Sequence, residues 1–411
     1  MIQIDNVRFL DVTHQTDSVQ TLYIAHGQLV SPPQDRTRIT EQIDGSGKWL
    51  MPALVDLCAR LREPGEQQHG TLQSEGHAAR AAGFLHVVIP PDTKPILENG
   101  ALLQGLRRKA FDDGGIHLHI IGALTKGLVG QQPANLAGLK QGGCIAVSNA
   151  RAGFVDDDTL LRSLEYAGTL GLTVFFYPEE ASLAKDGCVH DGFMASRQGL
   201  VGIPETAETV ALAKQLLMVE ATGVRAHFSQ LSCGASVELI RIAKRRGLPV
   251  SADVAMHQLH LSDQWIDGFN VMAHVRPPLR TEKDRQQLRQ GVAEGVIDAI
   301  CSHHEPLSES AKLAPFPDTA AGISGFDSFM ALAVKLVTDG VLTPLQLAER
   351  IVHAPSRIAG IESYRHATGG WALIDPNQVW QVQADQMQSA GKNTPFYGQQ
   401  LVGRLERLVV D

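Results

Sequence analysis

Residues 50–65 read LMPALVDLCARLREPG, an apolar, strand-like run that ends in an acid, a thiol and two arginines. Side chains two apart on a strand point to the same side of the pleat, so an H-x-H pair at such a strand end would aim two imidazoles at one ion. Here those two positions hold Cys58 and Arg60, a thiol and a fixed positive charge.

Working outward from this stretch, the chain repeats one unit seven times: an amphipathic helix, a glycine, then an apolar β-branched strand. The strands are FLHVVIP after Gly83, IHLHIIG after Gly115, CIAVSN after Gly143 and LTVFFYP after Gly171. VRAHFSQ follows Gly223, LPVSADV follows Gly247 and VIDAICSHH follows Gly295. Glycine fits each junction because it adopts the left-handed conformation that ends a helix. With the run that begins at Leu50 these make eight strands. Eight apolar strands alternating with helices predict an α/β fold, a (β/α)8 TIM barrel, with a doubly wound sheet as the alternative. Residues 343–360 predict a helix that closes the barrel. The short β-like runs of residues 1–49 and of the tail are each too small to bury a core, so they are expected to pair. The expected organisation is a composite β-sandwich from 1–49 plus 365–411 and a barrel over 50–364.

The bulk numbers narrow the function. The 411 residues are 44% apolar and carry a formal charge of -8 with a pI near 6.0, which argues against nucleic acid or an anionic membrane as partner. The five cysteines lack a C-x-x-C spacing, and the N-terminus MIQIDNVRFL has no basic segment followed by an apolar one. A reducing, cytoplasmic setting is expected. Residues 179–204, rich in glycine and small polar residues, read as a mobile loop or a contact surface.

In a barrel, chemistry sits at the C-terminal strand ends. The sequence puts there Cys58, Arg60 and Arg62; Pro91 and Asp92; Thr125 and Lys126; Asn149 and Arg151; Tyr177; Gln230; Asp253 and His257; and His303 and His304. No three good zinc ligands stand together, and a guanidinium would repel the ion. His303 and His304 are adjacent on a strand, so only one can face the pocket. His117 and His119 form a true H-x-H, but at the opposite end of their strand, and read as strand packing rather than as a metal site. Cys58 with His303 as nucleophile and base is weaker than a buried thiol filling space, because no third, orienting residue can be named.

MPALVDLCARLREPG, VVIPPDTKP, HVRPPLRTEKDR, IDAICSHHEPL, AGISGFDSFM and GKNTPFYG together resemble the dihydroorotase family of the amidohydrolase superfamily over essentially the whole chain. The resemblance implies an amidohydrolase-type barrel with a small β-sandwich, hydrolysis or closure of a cyclic amide, and one or two zinc ions. Position by position, it places the first histidine pair on Cys58 and Arg60 and the bridging ligand on Asn149. The later histidines fall on Tyr177 and Gln230, and the metal-holding general base on His303. The arginine that forks a substrate carboxylate is kept as Arg62, and two substrate-holding asparagines fall on Asp92 and Arg276. Without its ligands the zinc would be absent, and with it the Lewis acid and the hydroxide source. The resemblance therefore implies an inactive dihydroorotase-like chain of the kind that partners an aspartate transcarbamoylase catalytic chain in pyrimidine biosynthesis, with self-association also expected. Three alternatives remain: a rebuilt enzyme using His303, Asp253 and Cys58; an anion-binding module using Arg62, Asp92 and Arg276; and a purely structural homo-oligomer, like the metal-less dihydropyrimidinase relatives that act as interaction proteins, with no transcarbamoylase attached. Against the anion-binding module, Asp92 and Glu305 are expected to neutralise the arginines.

Overall fold

The structure is a computed structural model that describes residues 1–361 and 369–410. At the N-terminus lie β1 (Ile2–Asp11), β2 (Thr16–Ala25), β3 (Gln28–Val30), β4 (Glu41–Asp44) and β5 (Trp49–Pro52). The barrel strands begin with β6 (Leu54–Asp56), β7 (Phe84–Ile89), β8 (His117–Ala123), β9 (Ala146–Ser148) and β10 (Thr173–Phe176). An excursion carries β11 (Val189–His190) and β12 (Gly202–Ile203) before β13 (Ala226–Phe228), β14 (Val250–Ala255) and β15 (Ala299–Cys301). The chain ends with β16 (Trp371–Gln381) and β17 (Gln400–Val409).

Strands β6 to β10 and β13 to β15 form one eight-stranded sheet in chain order, with parallel ladders throughout. The seam between β15 and β6 is drawn together just beyond the strands by a bridge between Ala59 and His304, with Arg60 N–H donating to His304 O at 2.8 Å. Inside the barrel lie Val55, Val88, Ile121, Phe175, Ala255 and Cys301. All seven junction glycines have positive φ, between 65° and 100°, as the repeating pattern predicts. At a closer approach, a Cβ on Gly76 would stand 2.6 Å from Gly114 Cα, so only glycine lets those two helices touch.

The run from Leu50 is not a single barrel strand. β5 pairs with β1 and β16 in the terminal sheet, and the chain changes sheets at Ala53, whose N–H bonds Gly370 O, before Leu54 N–H bonds Gly83 O. The apolar run is continuous because both segments are buried, so its pattern hides the change. The terminal strands are linked by hydrogen bonds into one seven-stranded sheet. β1 passes β4 along residues 2–5 and β5 along residues 8–9 on the same edge, with a bulge between Ile4 and Val7 that bends it. Ile4, Val7, Phe9, Leu50, Trp371, Leu373 and Val409 pack into one core, so the two ends of the chain are stable only together. The boundary expected at 364 and 365 lies outside the described residues. The closing helix expected over 343–360 runs without a break from Pro344 to Ala359, capped by Thr343 and Gly360, and widens to a π turn over Glu349–His353, where Pro355 withholds an N–H.

Residues 179–204 are not an unstructured loop. They hold two short helices and the β11–β12 pair, and buried Arg280 fastens them by donating to Ile203 O at 2.7 Å and to His190 Nδ1 at 3.1 Å.

Candidate functional site

The C-terminal mouth of the barrel is filled by its own ion pairs. Arg60, beyond β6, donates through Nε and Nη2 to Asp92 Oδ2 at 3.1 and 2.8 Å and through Nη1 to Glu305 Oε1 at 2.6 Å. Arg151, beyond β9, reaches the same Glu305 oxygen at 2.6 Å and also donates to Arg276 O and His303 Nε2. Its guanidinium lies 5.4 Å from the Tyr177 ring centre. Arg62 donates to Pro306 O at 2.8 Å, pairs with Glu66 at 3.2 Å and stands 3.9 Å from Glu305. Three guanidiniums thus face the carboxylates of Asp92, Glu305 and Glu66.

Burial by itself would raise the Glu305 carboxyl; Arg151, Arg60 and His303 outweigh it and hold the group well below the usual carboxylate range. Asp92 behaves likewise: burial opposes ionisation and Arg60 more than compensates. His303 is held below its ordinary value by burial despite Glu305, and His257, stacked on it at 5.6 Å, is pushed down to about 3 by burial and by His303. Burial pushes the Cys58 thiol and the Tyr177 phenol up, so both stay protonated.

The other expected site residues are turned to structural tasks. Asn149 accepts from Thr125 Oγ1 at 2.5 Å and donates to Gly153 O at 2.9 Å. Gln230 takes positive φ and its N–H bonds Asp253 Oδ1 at 2.6 Å, while His227 holds the other Asp253 oxygen at 2.9 Å. Asp253 is thus occupied within the barrel. Of the adjacent histidines only His303 faces the mouth. His304 pairs with buried Glu75 at 2.8 Å and stacks on Phe326. Arg276 does not join Arg62 and Asp92: it forms a fork with Glu179 of the excursion, at 2.6 to 3.1 Å. Arg151 takes the central place instead, and Glu305 is the hub. Both were legible: the sequence places Arg151 at its strand end and expects Glu305 against the arginines, and each stands two positions beyond another strand-end residue, Asn149 or His303.

Chemically this mouth is self-satisfied. A cavity of ≈ 20 Å³ bordered by Arg60, Arg62, Glu66, Asp92 and Thr93 compares with about 300–1,000 Å³ for an ordinary small-molecule site. It suits a water molecule, and Arg62 Nη2 and Asp92 Oδ1, both buried without a protein partner, are a donor and an acceptor for one. The residues do not fit the zinc that the fold implies: the Cys58 thiol is protonated, the Arg60 guanidinium would repel the ion, and Asn149 is turned into its loop. Among the described residues no three His, Cys, Asp or Glu side chains are placed to hold a metal ion.

Two kinds of likeness follow the geometry. The fold is that of the hydantoinase type of amidohydrolase barrel: L-hydantoinase (dihydropyrimidinase) from Arthrobacter aurescens superposes with a TM-score of 0.86 at 19% identity, covering 100% of this chain and 96% of that one. D-hydantoinase from Thermus sp. gives 0.83 at 18%, covering 100% and 94%. In sequence, a family model described as Dihydro-orotase-like matches residues 47–236. A "Dihydroorotase-like protein" of Pseudomonas aeruginosa is 43% identical over 415 residues, covering 100% of this chain and 98% of the relative, and one of Pseudomonas putida is 42% identical with the same coverage. A "Dihydroorotase" of Anaeromyxobacter dehalogenans is 34% identical, covering 99% and 96%. The chain belongs to the dihydroorotase-like family.

Proposed function

We propose that this chain is a non-catalytic dihydroorotase-like protein, free of zinc, that serves as a structural subunit of an aspartate transcarbamoylase complex. One observation carries the loss of catalysis: Arg60, Arg151, Asp92 and Glu305 pair with one another in the space where hydrolysis would need an activated water. The residues that could take a proton from water are engaged: His303 Nε2 lies against Arg151 and Glu305, and Cys58 is held as the thiol. The partner rests on the resemblance to inactive dihydroorotase-like chains that accompany the transcarbamoylase, and on the physical point that a fold can lose its site and persist for its surface.

The test has two arms. Purified without a histidine tag, the chain should turn over neither dihydroorotate nor carbamoyl aspartate, with or without added zinc; turnover at any zinc level overturns the first half. Pulled gently from its native extract, it should co-elute in one large particle with a comparable amount of a transcarbamoylase catalytic chain. Elution as a small homo-oligomer overturns the second half.

A further inference from the structure

The excursion over residues 179–204 forms one wall of a second cavity, of ≈ 400 Å³, within the about 300–1,000 Å³ of an ordinary small-molecule site. Residues 185–188 and 203 line it from the excursion, residues 274–276 and the loop over 317–321 from the other side. It includes none of the mouth residues Arg60, Arg151, Asp92 and Glu305. The walls are fixed by backbone bonds: Arg280 donates to Ile203 O, Cys188 N–H bonds Val201 O at 3.0 Å, and Gly322 N–H bonds His274 O at 2.9 Å. The cavity is therefore preformed.

Its lining carries both signs of charge. Arg276 spends Nε and Nη2 on Glu179, which leaves Nη1 for a ligand. Lys185 and Asp186 stand exposed at the rim, and neither side chain has a partner among the described residues. His274 adds a neutral acceptor. Thr319 Oγ1 gives its proton to Phe316 O at 2.8 Å, so its 2.8 Å contact with His274 takes the proton from Nδ1. Nε2 then keeps its lone pair, and burial, Lys312 and Arg276 push the ring down to about 4 and keep it neutral. A simple anion would meet Asp186 here, and a simple cation would meet Lys185 and Arg276. A molecule bearing both charges satisfies all of them.

The backbone at Lys185 points the same way. It is held at φ 44° and ψ −133°, a conformation that only glycine adopts without strain. Glycine would serve the turn better, and what lysine adds is an ammonium group beside the cavity.

We propose that this cavity binds a free amino acid, its carboxylate held by Lys185 and Arg276 and its ammonium group by Asp186 and His274. Ile203, Val275 and Pro317 offer an apolar wall for the side chain. The site depends neither on the loss of catalysis nor on the assembly role. Thermal-shift titrations of the untagged, full-length chain with each of the standard amino acids should give a saturable rise in Tm for at least one of them. Acetate and methylamine, with one charge each, should give none. For the amino acid that binds, Asp186→Asn and Lys185→Gly should each weaken binding by about tenfold or more. Lys185→Gly separates contact from fold, because it removes the ammonium group and relieves the backbone; its ligand-free Tm should be no lower than the parent's. Absence of a saturable shift with every amino acid overturns the proposal, as does an equal shift with acetate or methylamine, or undiminished binding in either variant. A lower ligand-free Tm in Lys185→Gly would make that lysine structural and remove it from the site.

Discussion

Glu305 shows how one side chain can decide a site. It is 2% exposed, and two guanidiniums converge on it at 2.6 Å from strands on different sides of the barrel. Glu305→Gln keeps the shape but leaves Arg60 and Arg151 short of a counter-charge. Breaking a buried pair this way costs about 3–5 kcal/mol, and the urea midpoint should fall accordingly. The same network sets an acid limit. Glu305 and Asp92 ionise at lower pH in the folded chain than in the unfolded one. On acidification the unfolded state takes up protons first. The network's contribution, complete above the unfolded carboxylate values near pH 4, is therefore lost as pH falls through the folded values. A stability profile from pH 6 to about pH 2 should drop steeply in the parent and less steeply in Glu305→Gln; parallel profiles would show that the carboxylate is not coupled to folding.

Among the elements, the excursion over residues 179–204 is the clearest case in which composition misleads. Glycine and small polar residues suggest mobility, whereas the structure supplies anchors: Cys188 N–H to Val201 O at 3.0 Å, and Arg280 beneath. Arg280 is 3% exposed and comes from the segment beyond β14, far away in sequence. Arg280→Met keeps most of the volume and removes the donors to Ile203 O, His190 and Ser232. Limited proteolysis should then cut within residues 179–204 several times faster than in the parent. Unchanged cutting would place the anchor elsewhere. The seven helix–glycine–strand units were legible by contrast, because each depends on a local pattern and on one residue able to take positive φ.

For the whole molecule, the two ends of the chain form one body. Trp371 packs on Phe9 at 5.8 Å and its Nε1 donates to Gly27 O at 3.0 Å, so a C-terminal side chain completes an N-terminal core. Trp371→Ala should cost about 3–5 kcal/mol and expose the amides of β1 as well as β16 to hydrogen exchange. Protection lost only in β16 would mean that the ends fold separately. The closed seam between β15 and β6 makes the barrel similarly non-local: Asp56, Ser302 and His304 join the first and last strands, with Glu75 and Ser389 behind them.

The sequence by itself determined the barrel, the pairing of the two terminal β segments and the chemistry of the residues at the strand ends, Cys58, Arg60, Asn149, Tyr177 and Gln230, among which few are ligands that zinc favours. Periodicity and residue chemistry are local, and a thiol or a guanidinium is what it is wherever the chain puts it. Only the tertiary structure decided that the run from Leu50 changes sheets at Ala53, that Arg151 rather than Arg276 enters the mouth, and that His117 and His119 pack against His86. Those outcomes depend on which strands become neighbours and which charges meet in low dielectric, where an ion pair between residues 60 and 305 is as close as any between adjacent side chains.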